Sequence, residues 1–295
     1  MSEVTQLEVR SQQYSDMILP LAQQENSLLF QTVYNKGGVT GKSFYQDQIG
    51  SWDMSTKSGP NAATPQNDPN LSRTRVDMAT YHDARILDRS LLLQELSDPA
   101  SQTNRNVAGA IGRQIDKLIY AALGGVTLRG EKGDTAVSFP SANVIAADFG
   151  STGTNSGLTV GKIQHAMKML EDKSVHGEFW LVASATAKEQ LLKEVKATNG
   201  DYTINKPMDS GVIRNFYGFN LVFLPGGIIE KTANVADYFA YERTGVVFGQ
   251  VENLFLRADD RPDMSYSKQI YYEMTAGAGR LEEARVIKIL GDESV

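Results

Sequence analysis

A chain of 295 residues with 41% apolar and 22% charged side chains has material for one large or two ordinary soluble domains with an ample core. It holds no cysteine, which excludes disulfides, thiolate metal sites and thiol nucleophiles and fits a reducing compartment. A net charge of −6 argues against wholesale phosphate binding, and no apolar run reaches the length of a bilayer span.

Residues 1–34 are polar and glutamine-rich, without the basic and apolar blocks of a signal peptide. Their weak helical stripe, Leu7, Tyr14, Met17, Ile18 and Leu21, is interrupted by Pro20. So little apolar surface predicts an arm that needs a neighbour to bury it. Residues 36–43, KGGVTGKS, imitate a phosphate-binding loop, but the glycine spacing is wrong and the following FYQDQIG reads as a strand instead of a helix.

Residues 41–81 read as strand, polar tip, strand. One arm is SFYQDQIGSWDM; the other is LSRTRVDMATYHD, where Val76, Met78 and Thr80 alternate with polar neighbours. The tip, residues 55–70, holds three prolines and no large apolar residue, so it cannot carry a core. Trp52 and Leu71 are the nearest large apolar groups. A two-stranded projection of this kind is marginal in isolation, which makes it a mobile lid or a limb resting on another subunit.

Ile86, Leu87, Leu91, Leu92 and Leu93 lead into a long predicted helix over residues 98–124. Asp98 suits the N-cap, Pro99 the first helical position, and Gly124-Gly125 the stop. Val107, Ile111, Ile115, Leu118, Ile119 and Ala122 form its apolar stripe, with Arg105, Arg113, Asp116 and Lys117 on the other side. Glycine costs a helix about 1 kcal/mol relative to alanine, so Gly109 and Gly112 predict that another backbone packs closely there.

After the stop, TLRGEKGDTAVSFP reads as a hairpin around residues 130–133, and residues 143–149 as a short strand. Residues 150–157, GSTGTNSG, read as a flexible joint between two parts of the fold. Beyond it Thr159 caps a helix with the stripe Val160, Ile163, Met167 and Leu170. FWLVAS is a buried strand, residues 185–195 a helix, and GFNLVFLP and residues 238–241 are strands, which together predict an α/β unit. VVFGQVENLFLR, KQIYYEMTAG and ARVIKIL are expected to form one returning sheet beside the long helix.

No catalytic constellation stands out, and no catalytic, cofactor or metal residue is assigned. His82, His165 and His176 stand apart; His176-Gly177-Glu178 imitates half of a deaminase signature whose cysteine half is absent. Asp259-Asp260 and Glu282-Glu283 suit acid–base or metal chemistry by type. They suit ion pairing with Arg257, Arg261, Arg280 and Arg285 better. GTNSG has its serine one place late for a nucleophile elbow, and no dinucleotide fingerprint or calcium loop occurs.

The collinear order of polar arm, extended hairpin, long helix, α/β unit and returning strands resembles the major capsid protein of tailed bacteriophages, the Hong Kong 97 type of α+β fold. RTRVDMATYHDARILDRSLLLQELSDP entering the helix, GRQIDKLIYAALGG closing it and LTVGKIQHAMKMLEDKSV opening the α/β unit carry the resemblance over nearly the whole chain. It implies an N-arm at residues 1–39, an extended loop at 40–83, a peripheral domain at 84–150 with 244–295 built on the spine helix, and an axial domain at 151–243. It also implies a non-enzymatic, cofactor-free subunit that assembles in the host cytoplasm as pentamers and hexamers of an icosahedral head. Implied partners are a portal protein, a decoration protein and packaged double-stranded DNA contacted without specificity, with no membrane. Some members carry a scaffolding region before the arm; here the arm starts at Met1, so a separate scaffolding protein is expected unless the chain is already processed.

The runner-up is an encapsulin-like nanocompartment shell of the same fold, which neighbouring genes would distinguish. An α/β hydrolase or transferase with a lid at residues 55–70 is opposed by the missing nucleophile and histidine partners, and a tail or adhesion protein would form fibres or tubes.

Overall fold

The computed structural model describes residues 26–61, 63–64, 66, 70–87, 99–151, 153–198, 215–251 and 255–294. Strands β1 (Tyr34–Lys36), β2 (Ser43–Ile49), β3 (Leu71–Asp77) and β4 (Ala79–Leu87) precede helix α1 (Pro99–Gly124). Then come β5 (Thr127–Arg129), β6 (Thr135–Val137), β7 (Val144–Ile145), α2 (Val160–Asp172), β8 (Phe179–Ser184) and α3 (Ala185–Thr198). They are followed by β9 (Asn215–Phe216), β10 (Phe219–Leu224), β11 (Lys231–Thr232) and β12 (Val235–Glu242). The last four are β13 (Val246–Gln250), β14 (Phe255–Arg261), β15 (Ser267–Arg280) and β16 (Val286–Asp292). The expected cap Asp98, the apolar run at residues 91–93 and the arm up to residue 25 lie outside the described residues.

The chain divides into two compact units. The larger comprises Leu28–Thr80, Gln114–Glu252 and Thr275–Val295. Its central sheet runs β7-β16-β12-β8-β10-β9, with β11 added on β12. Strands β8 and β10 are parallel neighbours, with α3 following β8 in the chain between them. FWLVAS is the interior of this sheet, with its last four residues buried. Thr159 caps α2 as expected, its side chain accepting a hydrogen bond from Lys162 N at 3.3 Å.

One expectation fails in this unit. The segment ARVIKIL does not join β13 and β15; as β16 it pairs antiparallel with β12 and parallel with β7. The reason is its burial on both faces: Val286, Ile287 and Ile289 are fully buried, which suits a strand inside a covered sheet and not an edge.

A second sheet in the same unit runs β2-β3-β5-β6. The predicted hairpin at residues 130–133 joins β5 to β6, with Gly130 and Gly133 both at positive φ. The second arm of the projection is split at Met78, whose N–H returns to Lys42 O at 2.9 Å. Before it β3 pairs with β2; after it β4 pairs with β15. At the base of this limb Phe44 and Val76 pack with Val39, Val247 and Leu281. Glycines make that approach fit: a Cβ on Gly279 would lie 2.6 Å from Val76, and one on Gly249 would overlap the Phe44 ring.

The smaller unit comprises Met1–Ser27, Tyr81–Arg113 and Asn253–Met274, as far as these are described. Its β14 pairs antiparallel with the first half of β15 from Phe255↔Glu273 to Arg261↔Ser267. The turn between them holds Ser265 and Tyr266 in left-handed conformations. Asp83 on β4 accepts a 2.7 Å hydrogen bond from the Tyr272 hydroxyl.

Helix α1 spans the predicted residues from Pro99, but its buried stripe is rotated from the expected one. Val107, Gly112, Ile115, Asp116, Ile119, Tyr120 and Leu123 are buried, whereas Ile111, Leu118 and Ala122 are only half-buried. A backbone does pack against it: a Cβ on Gly112 would lie 2.7 Å from Ser27 N and 2.8 Å from Asn26 C. On an open helix face Gly112→Ala would stabilise. Here it is expected to lower stability by about 1–3 kcal/mol, and Gly112→Leu by more, because a main-chain segment cannot rotate aside. Urea midpoints measure this; unchanged midpoints for both variants would show that the chain at residues 26–27 is not seated on the helix.

Candidate functional site

The residues that could have carried chemistry are dispersed and already engaged. His165 stacks on Phe149 with ring centroids 4.3 Å apart, and His82 lies 6.2 Å from Tyr271. His176 is exposed before Gly177. Arg257 pairs with Asp259 at 2.6 Å, Arg285 with Glu282 at 2.6 Å and Arg129 with Glu283 at 2.5 Å, while Arg261 turns to Asp263. The phosphate-loop lookalike leads into β2 and not into a helix, and Lys36 Nζ is spent on Tyr45 O at 2.7 Å. Among the described residues no group of three or more histidines and carboxylates is placed to hold a metal ion.

What the structure does expose is the limb built on β2 and β3. Residues 51–58 beyond β2 are all exposed. Trp52 is 61% exposed, Met54 97%, Ile49 66% and Leu71 68%, a cluster that one subunit leaves in water. The register shows which backbone groups are free. Met78 N bonds to Lys42 O and Gly50 N to Asn70 O, so the even-numbered residues of β2 make the ladder with β3. The odd ones, Tyr45, Asp47 and Ile49, turn their N–H groups to the open edge of the sheet. The outer strand of the other hairpin is guarded: β14 carries Arg257, Asp259, Asp260 and Arg261 along its exposed length.

Buried polar groups hold the larger unit behind this limb. Asp116, fully buried on α1, accepts hydrogen bonds from Leu28 N at 3.1 Å and Leu29 N at 2.9 Å. It thereby fixes the two residues that lead into the short 3-10 turn Phe30–Thr32. Thr32 then meets the buried Tyr241 hydroxyl at 2.6 Å; burial pushes that phenol up, against the Thr32 bond. Arg280, also fully buried, donates from Nη1 to Leu123 O and Gly125 O at 2.9 Å each, satisfying carbonyls at the C-terminal end of α1. Burial pulls its pKa down, with Glu283 opposing. Burial would raise Glu293 on its own, but donors on Lys231, Ser184 and Tyr238 hold it below the usual glutamate range.

Lys162 on α2 is fully buried as well, and neither it nor Asp116 nor Arg280 was assigned to the core from sequence. A signal existed for two of the three. Lys162 falls in register with Ala166 and Leu170, and Asp116 with Gly112, Ile119 and Leu123, each at helical spacing within a buried stripe. For Arg280 no local pattern points inward.

The model of the family described as phage capsid protein matches residues 7–293 of the chain. No curated protein matches it. Among solved structures, the capsid of Ralstonia phage GP4 superposes with a TM-score of 0.73 at 10% identity, covering 96% of this chain and 95% of that one. The head structure of Helicobacter pylori bacteriophage KHP40 gives 0.73 at 11% identity, covering 96% of each chain. The capsid of cyanophage P-SCSP1u gives 0.72 at 12%, covering 96% of this chain and 93% of that one. At these identities the likeness is one of fold.

Asp116→Ala would leave the buried N–H of Leu29 and the partly buried N–H of Leu28 without their acceptor, and is expected to cost about 1–3 kcal/mol in chemical denaturation. Asp116→Asn keeps one carbonyl acceptor and should lose less. Equal and small losses for both would show that the carboxylate does not hold this segment.

Proposed function

Because the chain belongs to the phage capsid protein family and is a structural major capsid protein, we propose that its copies build the icosahedral head of a tailed phage as pentamers and hexamers around double-stranded DNA. In that shell, residues 1–39 serve as the N-arm, 40–83 as the extended loop, 84–150 with 244–295 as the peripheral domain and 151–243 as the axial domain. The observation that carries the reading is the exposed limb: Ile49, Trp52, Met54 and Leu71 present apolar surface at the far end of the β2–β3 pair, away from the buried Phe44 and Val76 at its base. A neighbouring subunit would cover it. Assembly takes place in the host cytoplasm with a separate scaffolding protein, and a portal protein and a decoration protein complete the particle.

An acidic chain suits an inner wall along which DNA must slide, because a dense cationic lining would bind phosphate at every step. The family match does not favour the nanocompartment alternative. The family is structural, and no turnover is proposed for it.

Negative-stain microscopy and sedimentation of the purified chain, alone and with its scaffolding protein, test the proposal. Capsomers or closed shells are expected; a strictly monomeric species at high concentration in both conditions would overturn it. The limb gives a finer test. In the free subunit, trypsin should cut after the exposed Lys57 and amides of residues 55–61 should exchange fast, with both protected in the shell. Replacing residues 55–70 by an Asn-Gly turn should leave the melting temperature nearly unchanged while impairing assembly. Equal protection before and after assembly would reject the limb as an intersubunit element.

A further inference from the structure

Four main-chain carbonyls of the larger unit converge on one buried point. Ala147 O, Ser156 O, Gly157 O and Leu290 O lie 2.8, 2.7, 2.9 and 3.0 Å from Lys162 Nζ. Lys162 itself is fully buried. An ammonium has three protons, so four acceptors exceed its donors. The oxygens around it are neutral, the arrangement by which carbonyl rings replace the hydration shell of a potassium ion. Burial lowers the pKa of Lys162 to about 8, while the nearby carboxylates of Asp148 and Asp292 act in the opposite sense, so the group is charged at neutral pH.

The cage is held by bonds that do not involve the lysine. Ser156 N donates to Ala147 O at 2.8 Å and Asp292 N to Ser156 O at 3.0 Å, which joins Ala147 to Ser156 and ties both to β16. Gln190 on α3 accepts from Leu158 N at 3.2 Å and donates to Asp292 O at 2.9 Å, bridging the same two segments. A Cβ at Gly157 would collide with that Gln190 amide, so glycine lets the bridge form. The oxygen distances of 2.7–3.0 Å exceed the roughly 2.3–2.6 Å of calcium and the roughly 2.0–2.1 Å of magnesium.

We propose that these four carbonyls form a binding site for a dehydrated monovalent cation of potassium or ammonium size, and that Lys162 fills it from within the chain. The tethered ammonium supplies the ion at an effective concentration that free salt does not match, and locks the loop to β16 whatever the ionic composition of the cell. Lys162→Ala removes the tether and leaves the space of its stem open to solvent ions.

Melting temperatures of the purified wild-type, Lys162→Ala and Lys162→Met chains in ammonium chloride, potassium chloride and tetramethylammonium chloride at equal ionic strength test this. Lys162→Ala should melt below wild type in tetramethylammonium and recover in part, saturably, with ammonium or potassium. Wild type should show no such difference. Lys162→Met, whose stem fills the space without a charge, should melt low in all three salts. An alanine variant that responds equally to the three salts, or a methionine variant rescued as well as alanine, would overturn the proposal. So would an alanine variant that refolds in none of them, since the cage would then not exist without the lysine.

Discussion

A carboxylate buried in the middle of a helix is costly unless main-chain donors reach it, and Asp116 shows how this chain meets that requirement. Its oxygens receive the amides of Leu28 and Leu29, so the segment leading into β1 must lie along α1 at one height and in one direction. Once that segment is fixed, Thr32 falls against Tyr241 on β12, and β1 enters parallel pairing with β13. The start of the described chain, the long helix and two sheets of the larger unit therefore depend on one charge placed in an otherwise apolar stripe. The far end of the same helix follows a similar logic, with the Arg280 guanidinium taking carbonyls that the last turn cannot use itself.

Three buried ionic groups, Asp116, Lys162 and Arg280, direct their bonds to backbone atoms: amides for Asp116, carbonyls for Lys162 and Arg280. Main-chain partners have fixed positions, so such bonds define where loops and strand ends sit and leave little room for alternative packings. That suits a capsid subunit, whose interior has to keep one geometry in every copy. The two hairpins differ in what they expose. Charged side chains line β14 and discourage pairing, whereas the β2–β3 limb ends in Ile49, Trp52, Met54 and Leu71.

Among the described residues, charged and histidine side chains are engaged in local pairs and stacks. Arginines that might have bound phosphate are paired with Asp259, Asp263 and Glu282, and the histidines stand apart against aromatic rings or in solvent. A shell protein needs complementary surfaces in place of reactive groups, and in one subunit those surfaces are legible only as apolar exposure and unpaired strand edges.

Local pattern was enough to place much of the architecture. Apolar periodicity marked α1 and α2, turn glycines marked the β5–β6 hairpin, and the run FWLVAS marked the interior strand, because each is decided within a few residues by backbone preference and burial. The glycine at 112 announced a close approach for the same reason: its cost is local, so its presence requires a compensating contact. Tertiary structure alone decided which strands share a sheet, and so moved β16 from the expected returning sheet to β12. Helical register hinted at the inward faces of Asp116 and Lys162, but what allows the burial of Asp116 and Arg280 was beyond local pattern: the amides that reach Asp116 lie 87 and 88 residues away and the carbonyls that take Arg280 lie 155 and 157 residues away.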